Sequence, residues 1–285
     1  MPAIDERLVR RAVDGDRDAL EAVVRGVQDD VYRLALRMLW HPADAEDATQ
    51  EILVRLVTRL DAFRGEAAFG TWAYRVAVNH LLTTRRRRAE RAALSFDEFG
   101  EDLARGLDRA YAAPGVDDGL LEEEVKVGCT QAMLLCLDRG HRAAYIVGEV
   151  FNLPSEDAAW ILELTPAAYR KRLSRARERV RSFMEGHCGL VRAGNPCRCH
   201  RRIGTAIATG RIDPANLLFA RAGAVRRGIE EMEGLHASAA VLRSHPDSRA
   251  PDALARRVLG IVGADGLSLL ANRCSPAAGA PIESE

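Results

Sequence analysis

Two groups of residues in this 285-residue chain carry side chains suited to binding rather than packing. The first lies between Asp61 and Arg91, where Phe63, Phe69, Trp72 and Tyr74 alternate with Arg64 and Arg75 ahead of the unbroken run Arg85, Arg86, Arg87, Arg88. An aromatic ring restores the contacts an unstacked base has lost, about 1–3 kcal/mol per base and without demanding a sequence. Guanidinium groups alongside neutralise phosphates and release counterions. Periodic aromatics also build cores, so these residues alone leave two readings open. The second group is a Gly- and Pro-containing loop with the pattern C-x8-C-x-C-H, Cys188, Cys197, Cys199 and His200, with His187 beside it. Four soft donors suit a tetrahedral zinc ion, although the spacing is not that of a standard finger. Redox-sensing thiols and an inert loop are the other readings. Cys129, Cys136 and Cys274 stand apart from the loop and read as buried or incidental.

The elements that must hold these groups are helices. Leu8, Val9, Ala12 and Val13 form one apolar stripe, and Val23 to Leu39 a second, with Gly15 and Asp16 at the break. A third helix follows Pro42 with Asp44 as its cap; it buries Ile52, Leu53, Leu56, Val57 and Leu60 and turns Glu46, Asp47, Gln50 and Glu51 outward. Thr71 is placed to cap a fourth, beginning at Trp72, with Trp72, Val76 and Asn79 on one side. Farther on, Glu122 to Phe151 supplies two helices around a turn at Asp138, Arg139 and Gly140. Leu153 to Phe183 reads as a short helix, a turn, and a longer helix that Thr165 caps and Pro166 opens, a helix-turn-helix. Tyr169, Leu173, Ala176 and Val180 face inward there. Arg170, Lys171, Arg172, Arg175, Arg177, Arg179 and Arg181, opposed only by Glu178, give the charge footprint of a duplex-DNA reader. Ala167, Ala168, Lys171 and Arg172, near its start, are best placed for base edges.

The spaced run FRGxxxFxTWxYRxAxN, Phe63 to Asn79, resembles the promoter-melting segment of bacterial RNA polymerase sigma factors of the extracytoplasmic-function (ECF) type. The resemblance covers residues 4–183. It implies that Phe63, Arg64, Phe69, Trp72, Tyr74, Arg75, Asn79, Arg85, Arg86 and Arg87 engage the minus-10 region, the Phe-rich loop capturing a flipped base. It implies that Asp47, Gln50 and Glu51, within D-A-E-D-x-x-Q-E, dock on the clamp helices of core RNA polymerase. Ala167, Ala168, Arg170, Lys171, Arg172 and Arg175 correspondingly belong to a minus-35 reader. Ala73 and Thr83 depart from the family pattern, and Glu163 replaces the usual turn glycine.

The expected architecture is all-α: a region 2-like domain over 1–91, a flexible acidic linker over 92–119, a region 4-like helix-turn-helix domain over 120–185, and a helical extension over 186–285. Helices are expected in the extension at Leu217 to Met232, Leu235 to Arg243 and Leu254 to Val262, with a disordered tail from Ser275. The 41 basic residues balance the 41 acidic ones, but charge is segregated, with ten acids against two arginines between Asp97 and Glu124. That tract reads as a solvated tether or, from the resemblance, a nucleic-acid mimic threading a basic polymerase channel. With no signal peptide and no apolar membrane span, a cytoplasmic protein is expected. Its partners would be core polymerase and promoter DNA, duplex and melted, with room for an anti-sigma factor. No nucleophile elbow, phosphate loop or catalytic carboxylate pair points to an enzyme. The alternative is a one-component helix-turn-helix regulator with a metal- or redox-sensing C-terminal module.

Overall fold

The structure, a computed structural model, describes residues 4–84, 94–220, 242–243 and 248–262, and among these every extended element is a helix. Aspartates set the first two helices: Asp5 caps α1 (Glu6–Val13) and Asp16 caps α2 (Arg17–Leu39), each carboxylate accepting from a first-turn N–H. Helix α3 (Pro42–Thr58) starts two residues before the expected Asp44 cap, with Pro42 in the first turn. Proline's missing N–H costs nothing there, and its fixed φ already suits a helix. Helix α4 (Phe69–Thr83) likewise begins before Thr71, from Ala68 and without a side-chain cap. The reason is packing: Phe69 is buried against Phe63 and Trp72, and drawing it into the core winds the preceding turn into helix.

The segment expected to be a free tether is instead fixed. Ser95 and Glu98 form a reciprocal capping box at the start of α5 (Phe96–Ala104), whose Phe99 stacks on Phe183 at 5.4 Å. Beyond it the chain runs along α10 (Cys199–Ala208) of the extension. Arg211 forks onto Asp102 at 2.5 and 2.8 Å, Arg201 grips Asp108, and the buried Arg202 donates to the Asp102 and Arg105 carbonyl oxygens. Backbone contact is close enough that a Cβ on Gly204 would collide with the Arg109 carbonyl oxygen. Two acids of the tract, Asp102 and Asp108, are thus answered by arginines of the extension, which ties the tract down at those two points.

Helix α6 (Asp118–Leu135) and α7 (Arg139–Tyr145), which runs on into a wide turn at Ile146–Val150, carry the helix-turn-helix, α8 (Ser155–Ile161) and α9 (Pro166–His187). Asp138, in the expected turn, caps α7. One continuous apolar core runs from Val9 through both helical units to Val262. The buried Arg142 guanidinium crosses between the units, donating to the Met38 carbonyl at 2.5 Å and to those of Leu134 and Leu137 at 3.1 and 3.0 Å. It thereby adds a donor to C-terminal carbonyls of two helices at once.

In the extension, Glu124 of α6 accepts three consecutive backbone N–H groups, from Leu218, Phe219 and Ala220, at 2.7–2.8 Å. Residues 217–220, expected to open a helix, are non-helical here; the rest of that segment and most of the next fall outside the described residues, as do Arg85 to Arg88, Cys274 and the tail. Residues 253–262 are helical, as expected, and bury Leu254, Ala255 and Val258 in the common core.

Candidate nucleic-acid interface

The minus-35 candidates lie together on one accessible face. Thr165 accepts from the Ala168 N–H, Pro166 opens α9, and Ala167, Ala168, Arg170, Lys171 and Arg175 are exposed, with Arg172 half-buried beside Gly140. Tyr169, Leu173, Ala176 and Val180 are buried on the opposite side, as their spacing requires. The hydroxyl of Tyr169 is pushed up to about 12 by burial, so it takes no part in the charge of this face. Farther along, Arg177 is tied to Glu149 and Arg181 to Glu178.

The minus-10 candidates are more divided. Phe63, Phe69 and Trp72 form a three-ring cluster with centroids 5.3–5.7 Å apart, Phe63 edge-on to Phe69. Phe63 and Trp72 keep part of their surface and Arg64 is exposed, whereas Phe69 is buried. Tyr74 does not belong to the outer face: it is 4% exposed and packs on Phe151 at 5.6 Å. Burial raises its hydroxyl pKa, and Asp30 adds to the rise. Its direction follows from the helical period, which turns Tyr74 with Ala73, Ala77 and Val78 toward the core while Trp72, Arg75, Val76 and Asn79 face outward.

Arg75 and Asn79 face another part of the same chain. The Arg75 guanidinium donates to one carboxylate oxygen of Glu163 from Nε at 2.9 Å and Nη2 at 2.7 Å, and lies 4.4 Å from the Trp160 ring centre. Asn79 Nδ2 donates to the same oxygen at 3.1 Å. Arg75, then Asn79, hold the Glu163 carboxyl below its ordinary 4.5. Glu163 sits in the turn of the helix-turn-helix at φ 54°, a left-handed conformation that favours glycine. Arg139 reinforces the closure by donating to the Leu82 and Thr84 carbonyls at the end of α4. Sequence reading found Glu163 as a departure from a glycine but gave no hint of its partner, which only the packing of α4 against α8 supplies.

On α3, Asp47 and Glu51 are exposed and Gln50 half-buried; Glu51 lies 3.1 Å from Nε2 of the buried His80. Glu46, on the same helix start, is met by Arg257 of the extension at 3.8 Å.

Of the soft ligands, Cys188 and Cys197 are joined through a backbone bridge, with the Gly189 N–H donating to the Cys197 carbonyl at 2.9 Å; a Cβ on Gly189 would collide there. Cys199 opens α10. His200 turns away: its side chain is 61% exposed, with Glu122 4.0 Å from Nδ1. Cys129 of α6, which sequence spacing had set aside, lines the same cavity as the three loop thiols.

A basic helix exposed behind a capped turn and joined to a ring-lined loop sets the class: an all-helical DNA-binding transcription protein. The description of sigma-70 region 2 matches residues 23–91. An RNA polymerase sigma-H factor of Pseudomonas aeruginosa is 29% identical over 183 residues, 62% of this chain and 91% of that protein. An ECF RNA polymerase sigma-E factor of Haemophilus influenzae is 30% identical over 185 residues, 64% of this chain and 95% of that protein. A solved structure of CnrH in complex with the cytosolic domain of CnrY overlays at 22% identity and a TM-score of 0.45, covering 64% of this chain and 97% of that one. The chain belongs to the ECF family of RNA polymerase sigma factors. About a third of it lies beyond what these relatives match.

Proposed function

We propose that the chain is a sigma factor that binds core RNA polymerase in the cytoplasm, directs it to promoters, and opens the minus-10 region while reading the minus-35 element. It carries no chemistry of its own and supplies recognition and strand opening to the polymerase active site. The observation that carries this reading is the relationship over nearly the full length of characterised sigma factors, region 2 included. A one-component regulator would have no use for that region. Among the described residues no helix is long and apolar enough to cross a membrane, which accords with a partner in solution.

On this reading Asp47, Gln50 and Glu51 meet the polymerase clamp, where an anti-sigma factor would compete. Phe63, Arg64 and Trp72 offer ring faces and charge to the displaced strand, and Ala167, Ala168, Arg170, Lys171 and Arg175 enter the upstream major groove. The closed packing adds a condition: Arg75 and Asn79 reach DNA only after Glu163 lets go, so promoter opening requires the two helical units to part. The test is reconstitution. Purified chain added to core polymerase should yield promoter-specific transcripts, and Phe63→Ala should suppress open-complex formation while sparing duplex binding. Failure of the chain to join core polymerase would overturn the proposal.

A further inference from the structure

Four thiols from three separate parts of the chain meet at one cavity. Cys129 comes from the middle of α6, Cys188 from the end of α9, and Cys197 and Cys199 from the loop before α10 and the first residue of that helix. All four line the same cavity of about 480 Å³, and none is in a disulfide. Every pair among the four is close enough for one sulfur's charge to act on the other. Charged groups stand around them: Arg202 near Cys129, Arg198 and Arg202 near Cys197, and both Glu122 and Lys126 near Cys199. Cys136 lines the same cavity but stands outside the group, its Sγ donating to the Ala132 carbonyl within its own helix.

From this convergence we propose that Cys129, Cys188, Cys197 and Cys199 form a binding site for one thiophilic divalent metal ion, zinc being the ion such a set favours. Four sulfur donors and no oxygen donor select zinc-like ions over magnesium or calcium. Ion and thiolates together carry two negative charges, which Arg198 faces, with Arg202 and Lys126 nearby in ion pairs with Asp102 and Glu123. Among the described residues no three ligand side chains already stand in metal-holding geometry. The sulfurs therefore turn inward on binding, toward a point about 2.3 Å from each, releasing their protons to solvent. The backbone bridge fixes Cys188 beside Cys197 beforehand, and Cys129 is held on a helix, so rotation about side-chain bonds accounts for the change. His200 is not a ligand in this arrangement. A metal here would fasten the extension to the helix-turn-helix unit, a role separate from promoter reading.

The experiment uses the full chain purified under reducing conditions without chelator. Metal content by mass spectrometry should give one zinc per chain, and cobalt substitution should give thiolate charge-transfer bands and a tetrahedral d–d spectrum. Cys129→Ser should lower the charge-transfer intensity by about a quarter and weaken zinc retention at least tenfold against a competing chelator. His200→Ala and Cys136→Ser should leave both unchanged. If Cys129→Ser does not fold, the cobalt intensity of the unaltered chain counts its thiolates and decides instead. A metal-free chain with four titratable thiols, a Cys188–Cys197 disulfide, or loss of metal in His200→Ala but not Cys129→Ser would overturn the proposal.

Discussion

Replacing Glu163 with glutamine removes the charge that holds Arg75 and Asn79 and leaves the shape of the turn intact. The magnitude follows from exposure. The Arg75 and Glu163 side chains are 34% and 49% exposed, and both guanidinium bonds fall on one oxygen, so the pair behaves as a surface ion pair of about 0.5–1 kcal/mol. Arg75 over Trp160 survives the substitution and keeps a similar share. The closed-to-open ratio should therefore fall about two- to fivefold. Where the closed form dominates, apparent affinity for a fork-junction DNA carrying a single-stranded minus-10 element rises by the same factor. Energy transfer between labels on α1 and on the exposed face of α9 reads the opening, and fluorescence anisotropy reads the affinity. Glu163→Gly should match the glutamine variant in both assays and also raise the thermal midpoint, because glycine removes the penalty of about 1–2 kcal/mol for a side chain in the left-handed region. Unchanged opening and unchanged affinity in both variants would refute the idea that this contact restrains promoter access.

Acid should loosen the same contact. A carboxyl whose pKa is lowered on closure contributes stability above its free value and loses it as pH falls through the lowered one, so interdomain energy transfer should decline below pH 4.5 in the unaltered chain and change less in Glu163→Gln. Asp102, held low by Arg211, should release the linker from the extension in a still more acidic range, below 3.8, seen as faster amide exchange across 96–108. Trp72→Ala should impair strand opening about fivefold or more by permanganate footprinting yet leave binding to upstream duplex within about twofold, since a stacking ring contributes about 1–3 kcal/mol. Lys171→Ala should weaken upstream-element binding and reduce the slope of affinity against salt by about one, if Lys171 meets a phosphate, or relax sequence preference if it meets a base. Arg142→Met, which leaves the Met38, Leu134 and Leu137 carbonyls without that donor, should destabilise the chain by about 2–4 kcal/mol in denaturant unfolding.

The local elements were legible because their signals are local. Asp16 before an apolar stripe, Thr165 before Pro166, and the inward period of Tyr169, Leu173, Ala176 and Val180 each depend on a few neighbouring residues. What stayed hidden depends on partners far along the chain. The acidic tract between Asp97 and Glu124 reads as solvated until Arg201, Arg202 and Arg211 are placed against it. Tyr74 shares a motif with exposed residues; the helical period turns it inward, but the ring it meets there, Phe151, is one that no spacing rule connects to it. Cys129 stands far from the thiol loop in sequence, and only the course of α6 brings it there.

Glu124 bonds the stretch 218–220 through main-chain amides, so those three bonds do not depend on side-chain identity, proline excepted because it brings no N–H, while Phe219 and Ala220 add packing of their own. A chain could exchange Leu218, the exposed one of the three, and still be held by the same carboxylate. Likeness in how the extension is moored would then outlast likeness in its letters, and the place to look for it in other proteins is a buried acid on the helix before the recognition unit.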